Sequence, residues 1–266
     1  MPNVQEIKVR GILSRSKLPG VDYVINPYRG CQHACVYCYA IFMQKFDGHS
    51  EPWGTYVDIK SNALELLTPQ LAKCRNRTVY LSSVCDPYQP VEAEYQLTRQ
   101  ILKQLITAQP QLTIQTKSAL VIRDLDLLTQ FKNCSVGMTI VTTDENLRRE
   151  IEPGASPIAA RIDALKRLKA AELETYVFIG PILPYLTGWK QIVLQTREFV
   201  GYYMFDHTNP SGRIWSHIRS WLIAKHPELL NSYEKILFGR SNYWPQVSQA
   251  IKDFCEQEKI NYQIFF

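Results

Sequence analysis

The sequence predicts an α/β fold, a parallel sheet with helices on its outside, either open or curled toward a barrel. Two observations carry that prediction. At least five short β-branched or apolar runs alternate with segments whose apolar residues recur every three or four positions, a rhythm that few other architectures accommodate. The 266 residues, 45% hydrophobic and 21% charged, suffice to bury one sizeable core, and this composition excludes disordered and collagen-like chains.

In order, a polar amino-terminal extension covers residues 1–20 and the core spans 21–210. Val21 to Ile25 reads as the first strand, ended by Asn26-Pro27 because proline lacks a ladder donor. Ala63, Leu64, Leu66, Leu67 and Leu71 give a helix one apolar side, and Thr78 to Leu81 is the second strand. Leu97, Ile101 and Leu105 mark a long helix closed before Pro110. Leu112 to Thr116 is a strand, Val121 to Phe131 a helix, Ser135 to Val141 a strand, and Ile162, Leu165 and Leu168 a helical face. Thr175 to Ile179 is a strand stopped by Gly180-Pro181, and the helix Trp189 to Phe199 precedes the apolar Tyr202 to Phe205. Residues 211–266 form a carboxyl-terminal extension packed on the core, with helical patterns around Ile214 to Ala224 and Val247 to Phe254 and a strand-like end, Tyr262 to Phe266.

Thirty Lys+Arg against 25 Asp+Glu give a formal charge of +5, too small and dispersed to identify a polyanionic partner. No run approaches the ~20 apolar residues that cross a bilayer, and the first 20 residues lack a secretory apolar block. The expected location is the cytoplasm, without a membrane partner and with reduced thiols. Three of the seven cysteines, Cys31, Cys35 and Cys38, fall within eight positions just past a strand's carboxyl end, where parallel α/β proteins place their chemistry. Thiolates are the soft ligands preferred by iron-sulfur clusters and zinc. A structural zinc would need His33 or His49 to close its tetrahedron, whereas a cubane held by three cysteines leaves one iron open to a small molecule.

Asn26-Pro-Tyr-Arg-Gly-Cys31-Gln-His-Ala-Cys35-Val-Tyr-Cys38-Tyr-Ala resembles the cluster loop of radical S-adenosylmethionine (SAM) enzymes, in particular the branch similar to spore photoproduct lyase. The resemblance extends through Trp53-Gly54, Val57-Asp-Ile-Lys60, Asp86-Pro-Tyr-Gln-Pro90 with Glu92, Thr116-Lys117-Ser118, Ile151-Glu-Pro153 with Arg161, and Pro181-Ile-Leu-Pro184. It implies a partial (β/α)6 TIM-like barrel with Cys31, Cys35 and Cys38 holding a [4Fe-4S] cluster whose open iron chelates SAM. It further implies reductive cleavage of SAM, fed by a donor such as flavodoxin or ferredoxin, to a 5'-deoxyadenosyl radical that takes hydrogen from a substrate.

By the same resemblance, Tyr37, and less directly Tyr39, would wall the adenine, and Lys117 would pair with the SAM carboxylate. Ser83 and Thr139 are candidates to hydrogen-bond SAM, and Asp86 either binds its ribose or amino group or caps the helix beginning near Val91. Glu92 is read as a first-turn charge suited to the helix dipole, and Glu152 with Arg161 as a structural ion pair. Cys74, Cys134 and Cys255 are read as buried small hydrophobes.

The chain departs from the family's pattern at two places. Ser83 stands where spore photoproduct lyase has its hydrogen-donating cysteine, and an alcohol O–H is too strong a bond for that task. Cys85, on the same side of an extended segment, is the candidate catalytic donor instead. Ala171-Glu172-Leu173 occupies a stretch where relatives commonly have glycine. The substrate is therefore unassigned, with nucleic acid among the candidates. The alternatives are a DNA-lesion repair lyase and, from another class, a non-catalytic metal-stabilised module that binds nucleic acid or protein through Trp215, Trp221, Tyr243 and Trp244. Against the latter, Ile214, Ile218, Trp221 and Leu222 fit a core-facing stripe.

Overall fold

The computed structural model describes residues 3–266; residues 1 and 2 of the amino-terminal extension lie outside the described residues. Its strands are β1 (Asn3–Ile7), β2 (Leu13–Arg15), β3 (Tyr23–Ile25), β4 (Tyr28–Arg29), β5 (Tyr56–Lys60), β6 (Thr78–Leu81), β7 (Gln111–Thr116), β8 (Cys134–Thr139), β9 (Glu174–Ile182), β10 (Tyr202–His207) and β11 (Tyr262–Ile264). Strands β3, β6, β7, β8, β9 and β10 lie side by side in that order, each parallel to the next. These six strands with their helical crossovers make the partial barrel. Antiparallel β2 borders one edge and parallel β11 the other, so the sheet stays open.

Strand alternation separates two surfaces. Val79, Leu81, Leu112, Ile114, Val136, Met138, Val177, Ile179, Tyr203 and Phe205 are buried in the main core, while Tyr80, Gln115, Thr139, Phe178 and Asp206 from the same strands line a cavity on the opposite face. Successive side chains of a strand point to opposite sides. The helix Leu97–Ile106 adds Leu97, Ile101, Leu102 and Leu105 to the core, as its spacing predicts.

Several elements differ from the sequence reading. Strand β9 runs through Gly180-Pro181 to Ile182, because the two residues sit near the sheet's rim and β10 still pairs with Ile182. The segment expected as one helix from Val121 to Phe131 is a 3-10 stretch, Ala119–Asp124, followed by one α-turn, Leu125–Leu128. The Ala63 helix is interrupted by a 3-10 turn at Thr68–Gln70 that contains Pro69, consistent with proline's missing donor. Glu172 adopts a left-handed φ of 61°, the conformation that glycine supplies at helix ends.

A strand from each extension pairs with a strand of the 21–210 segment. Strand β1 pairs parallel with β5, which pairs antiparallel with β4, forming a small second sheet beside the cysteine loop. At the other end, helices Gly212–Lys225, Leu230–Phe238 and Tyr243–Gln257 lead into β11. Ile214, Ile218, Trp221 and Leu222 are buried in a cluster with Cys31, Cys35, Tyr37 and Ile41. That helix therefore backs the cysteine loop.

Candidate active site

The cysteine loop leaves β4 and is fastened to two segments, residues 151–154 and 89–91. On its backbone, Val36 N–H donates to Ile151 O at 3.0 Å and Gly154 N–H donates to His33 O at 3.2 Å. From the segment after β6, Gln89 Oε1 accepts from Gln32 N–H at 2.9 Å and Gln32 Oε1 accepts from Val91 N–H at 2.6 Å. From below, the Tyr37 hydroxyl donates to Glu152, whose other oxygen lies 2.6 Å from the Arg161 guanidinium. A Cβ on Gly154 would sit 2.0 Å from Gln32 O, so the two segments meet only with glycine there. Gly154→Ala is expected to lower stability by about 1–3 kcal/mol, as overpacking does, and to reduce the iron retained after reconstitution; thermal unfolding and an iron assay check both.

Asp86 joins this loop to the barrel rim. Its Oδ1 accepts from Thr116 Oγ1 at 2.7 Å and Tyr88 N at 2.9 Å, its Oδ2 accepts from Lys117 N at 2.8 Å, and His33 Nδ1 lies 3.3 Å from Oδ2. Burial pushes this carboxyl up, but the His33 charge and these hydrogen bonds outweigh it and hold the group at about 2. The expected cap of the Val91 helix does not form: the Asp86 oxygens are engaged by nearer and cross-strand donors. Glu92 lies in the first turn of a short helix, as read, and makes further contacts. It is fully buried, accepts from the Tyr28 hydroxyl and from Thr98 N, and pairs with Arg123 at 2.6 Å, because β4 and the Arg123 turn close over it.

A cavity of about 440 Å³ opens at the carboxyl ends of the strands, within the range of ligand sites. Cys31, Cys35, Cys38, Tyr37, Tyr39, Ser83, Cys85, Asp86, Lys117 and Thr139 all border it. Cys31, Cys35 and Tyr37 are buried, Cys38 is half-buried, and Tyr39 is exposed with its hydroxyl donating to Ser83 O. The Lys117 ammonium stands 5.7 Å from the Tyr37 ring centre. Burial pushes the three thiols up, and the Lys117 charge partly offsets this at Cys35 and Cys38. Thr139 is buried and its hydroxyl accepts from Gln115 Nε2 at 3.3 Å. The segment of Ser83 and Cys85 is a bend, not an extended strand; both still reach the cavity, and Cys85 Sγ lies 2.7 Å from Ser82 Oγ. Cys74, Cys134 and Cys255 are buried away from it.

Sequence reading missed the wall formed by Tyr80, Gln115, Phe178, Asp206 and His207. The available signal was parity: each occupies, or directly follows, the strand position opposite the core-facing residues. Trp221 is core as expected, with its indole N–H donating to Glu150 at 3.2 Å.

The donor set suits an iron-sulfur cluster. Three thiols border one cavity and influence one another electrostatically, and soft thiolates are the ligands such clusters take. The histidines needed for zinc are engaged elsewhere: His33 faces Asp86, and His49 lies 3.0 Å from Asp58 and 3.1 Å from Glu51. Among the described residues no three His, Cys, Asp or Glu side chains gather as a single-ion site, and no helix is long and apolar enough to cross a membrane.

Comparison with known proteins agrees with this geometry. The radical SAM superfamily model matches residues 25–191. An uncharacterized protein of Methanocaldococcus jannaschii is 40% identical over 252 residues, covering 93% of this chain and 92% of the relative. An uncharacterized protein of Mycobacterium tuberculosis is 32% identical over 237 residues, covering 84% and 69%. Spore photoproduct lyase complexed with dinucleoside spore photoproduct superposes with a TM-score of 0.71 at 18% identity, covering 98% of this chain and 81% of that one. SuiB of Streptococcus suis bound to SAM gives 0.58 at 11% identity, covering 100% and 51%. The chain thus belongs to the radical SAM superfamily, whose members use a [4Fe-4S] cluster and S-adenosylmethionine.

Proposed function

We propose that this protein is a radical SAM enzyme that removes a hydrogen atom from a substrate held in the barrel cavity. The observation that carries the reading is the gathering of the three thiols, Lys117 and Tyr37 in the lining of a single cavity that Tyr80, Gln115, Phe178 and Asp206 also border. Cys31, Cys35 and Cys38 would hold the cluster, Lys117 would pair with the SAM carboxylate, and Tyr37 and Tyr39 would border the adenine. Ser83 and Thr139 offer hydroxyls to SAM. Asp86, with partners on both oxygens, holds the loop and the Lys117 backbone in place. When bound, the cluster and SAM supply one-electron cleavage of a carbon–sulfur bond and so a carbon-centred radical. The protein's part is to fix positions and to keep water and stray hydrogen donors out.

Cys85 is the candidate to return hydrogen to the substrate. It borders the cavity beside Ser82, and a thiol S–H is weak enough to donate to a carbon radical. This supports a lyase-like or repair reaction in which hydrogen is first taken and then restored. A spore photoproduct lyase bound to its dinucleoside lesion shares the fold, which keeps DNA lesions among the candidate substrates for this chain; SuiB bound to its precursor peptide adds peptides.

Anaerobic reconstitution with iron and sulfide, followed by dithionite and SAM, tests the proposal. The expected product is 5'-deoxyadenosine, abolished in Cys35→Ala. Stoichiometric zinc with no cluster absorption would refute it.

A further inference from the structure

The Trp53-Gly54 pair is a motif that the cavity does not account for. Trp53 is 8% exposed and belongs to the same buried group as Cys31, Cys35, Tyr37, Ile41 and Tyr56, with Cys38 packed against it. Its indole Nε1 is buried and makes no hydrogen bond, although a buried donor normally finds a partner and leaving one unmet costs about 1–3 kcal/mol. Cys38, whose sulfur can accept a hydrogen bond, packs against this same buried group.

Two features hold Trp53 there. Gly54 has a φ of 95°, and a Cβ on it would lie 2.3 Å from the Ala34 Cβ, so the Trp53-Gly54 turn is pressed against the cysteine loop between Cys31 and Cys35. Tyr56, three residues on, meets the indole edge-to-face with ring centres 6.1 Å apart. Tyr56 is in turn fixed in β5, the central strand of the small sheet, and stacks on His49 at 3.8 Å. A donor anchored by a sheet and pressed onto a ligand loop is preorganised.

We infer that the Trp53 indole N–H is a positioning donor to the Cys38 sulfur and raises the reduction potential of the cluster bound by Cys31, Cys35 and Cys38. This rests on the cluster assignment proposed above. The physical reason is that added electron density on iron spreads onto the ligand sulfurs, where an N–H dipole stabilises it; hydrogen bonds to sulfur are among the determinants of cluster potential. One electron enters the cluster from the external reductant, and the indole proton remains on nitrogen.

Potentiometric titration of the reconstituted cluster, followed by its paramagnetic signal without SAM or substrate, tests the inference. Trp53→Phe is expected to lower the reduced-to-oxidised ratio at a fixed potential by about tenfold, equivalent to about 59 mV for one electron. Iron content should be unchanged. Substitution by benzothienylalanine, which keeps the indole's shape but replaces N–H with sulfur, should reproduce the shift even if phenylalanine loosens the loop. An unshifted or raised potential in the benzothienyl variant would overturn the inference. Failure to take up any cluster in the wild-type protein would instead refute the cluster assignment.

Discussion

Replacing Arg161 with methionine should destabilise the protein by about 3–5 kcal/mol, the usual consequence of stranding one partner of a buried ion pair. Arg161 is 1% exposed and Glu152 is 0% exposed, so no water can replace the guanidinium. Its Nε also donates to Ser156 O at 2.8 Å and one terminal nitrogen to Thr139 O at 2.9 Å. These bonds tie the end of β8 to the Glu152 loop, and Glu152 ties that loop to Tyr37. The effect should therefore reach the cluster: iron content falls along with the urea midpoint.

The pH dependence of this variant identifies the cause. In the wild-type protein burial pushes the Glu152 carboxyl up, but Arg161, Lys117 and the Tyr37 hydroxyl outweigh it and leave it below its ordinary 4.5. A depressed carboxylate contributes stability above its unfolded pKa and loses it as pH falls. Without Arg161, burial dominates and protonation of Glu152 relieves the stranded charge. The stability gap between variant and wild type should thus be widest near neutral pH and narrow below about pH 5. A loss under about 1 kcal/mol, or a gap independent of pH, would show that Glu152 is not a stranded charge.

The parts of this site that were legible in the sequence are those whose chemistry is local. Cys31, Cys35 and Cys38 lie within eight residues, so that one loop carries all three proposed ligands, and the sheet announces itself because burial alternates along β6, β7 and the first part of β10 and β8 is buried throughout. Asp86 was visible as a residue but not as a junction, since its partners His33, Thr116 and Lys117 come from the cysteine loop and the end of β7. Glu92 was placed correctly in a first turn, but that position says nothing of Tyr28 and Arg123 closing over it. Strand β5 was quoted only as a motif because its Asp58 faces His49 and Gln5, and a polar buried residue breaks the apolar pattern that betrays a strand. The helix Leu230–Phe238 buries only Tyr233 and Ile236, too narrow a stripe to stand out.

Lys117 carries the second large prediction. It is the one Lys or Arg among the residues bordering the cavity, and its position is set by backbone bonds on both sides: its N–H donates to Asp86 at 2.8 Å and its carbonyl accepts from Ser156 N at 3.1 Å. Burial pushes its pKa down, but the facing acidic groups, Cys35 and Glu152 foremost, outweigh this and raise it. The side chain is therefore charged throughout the neutral range. A charged hydrogen bond to a ligand carboxylate contributes about 1.5–3 kcal/mol, so Lys117→Met should weaken SAM binding by about 10- to 100-fold. Equilibrium dialysis with labelled SAM measures this without turnover. Cluster content should be unchanged, because the loop's own anchors, Gln32, His33 and Tyr37, bond to Gln89, Asp86 and Glu152 rather than to the ammonium. Lys117→Arg should recover only part of the affinity, since the planar guanidinium must fit beside the Tyr37 ring where a compact ammonium now stands. A dissociation constant within about twofold of wild type in the methionine variant would place the SAM carboxylate elsewhere on the wall, with the Ser83 and Thr139 hydroxyls among the donors bordering the same cavity.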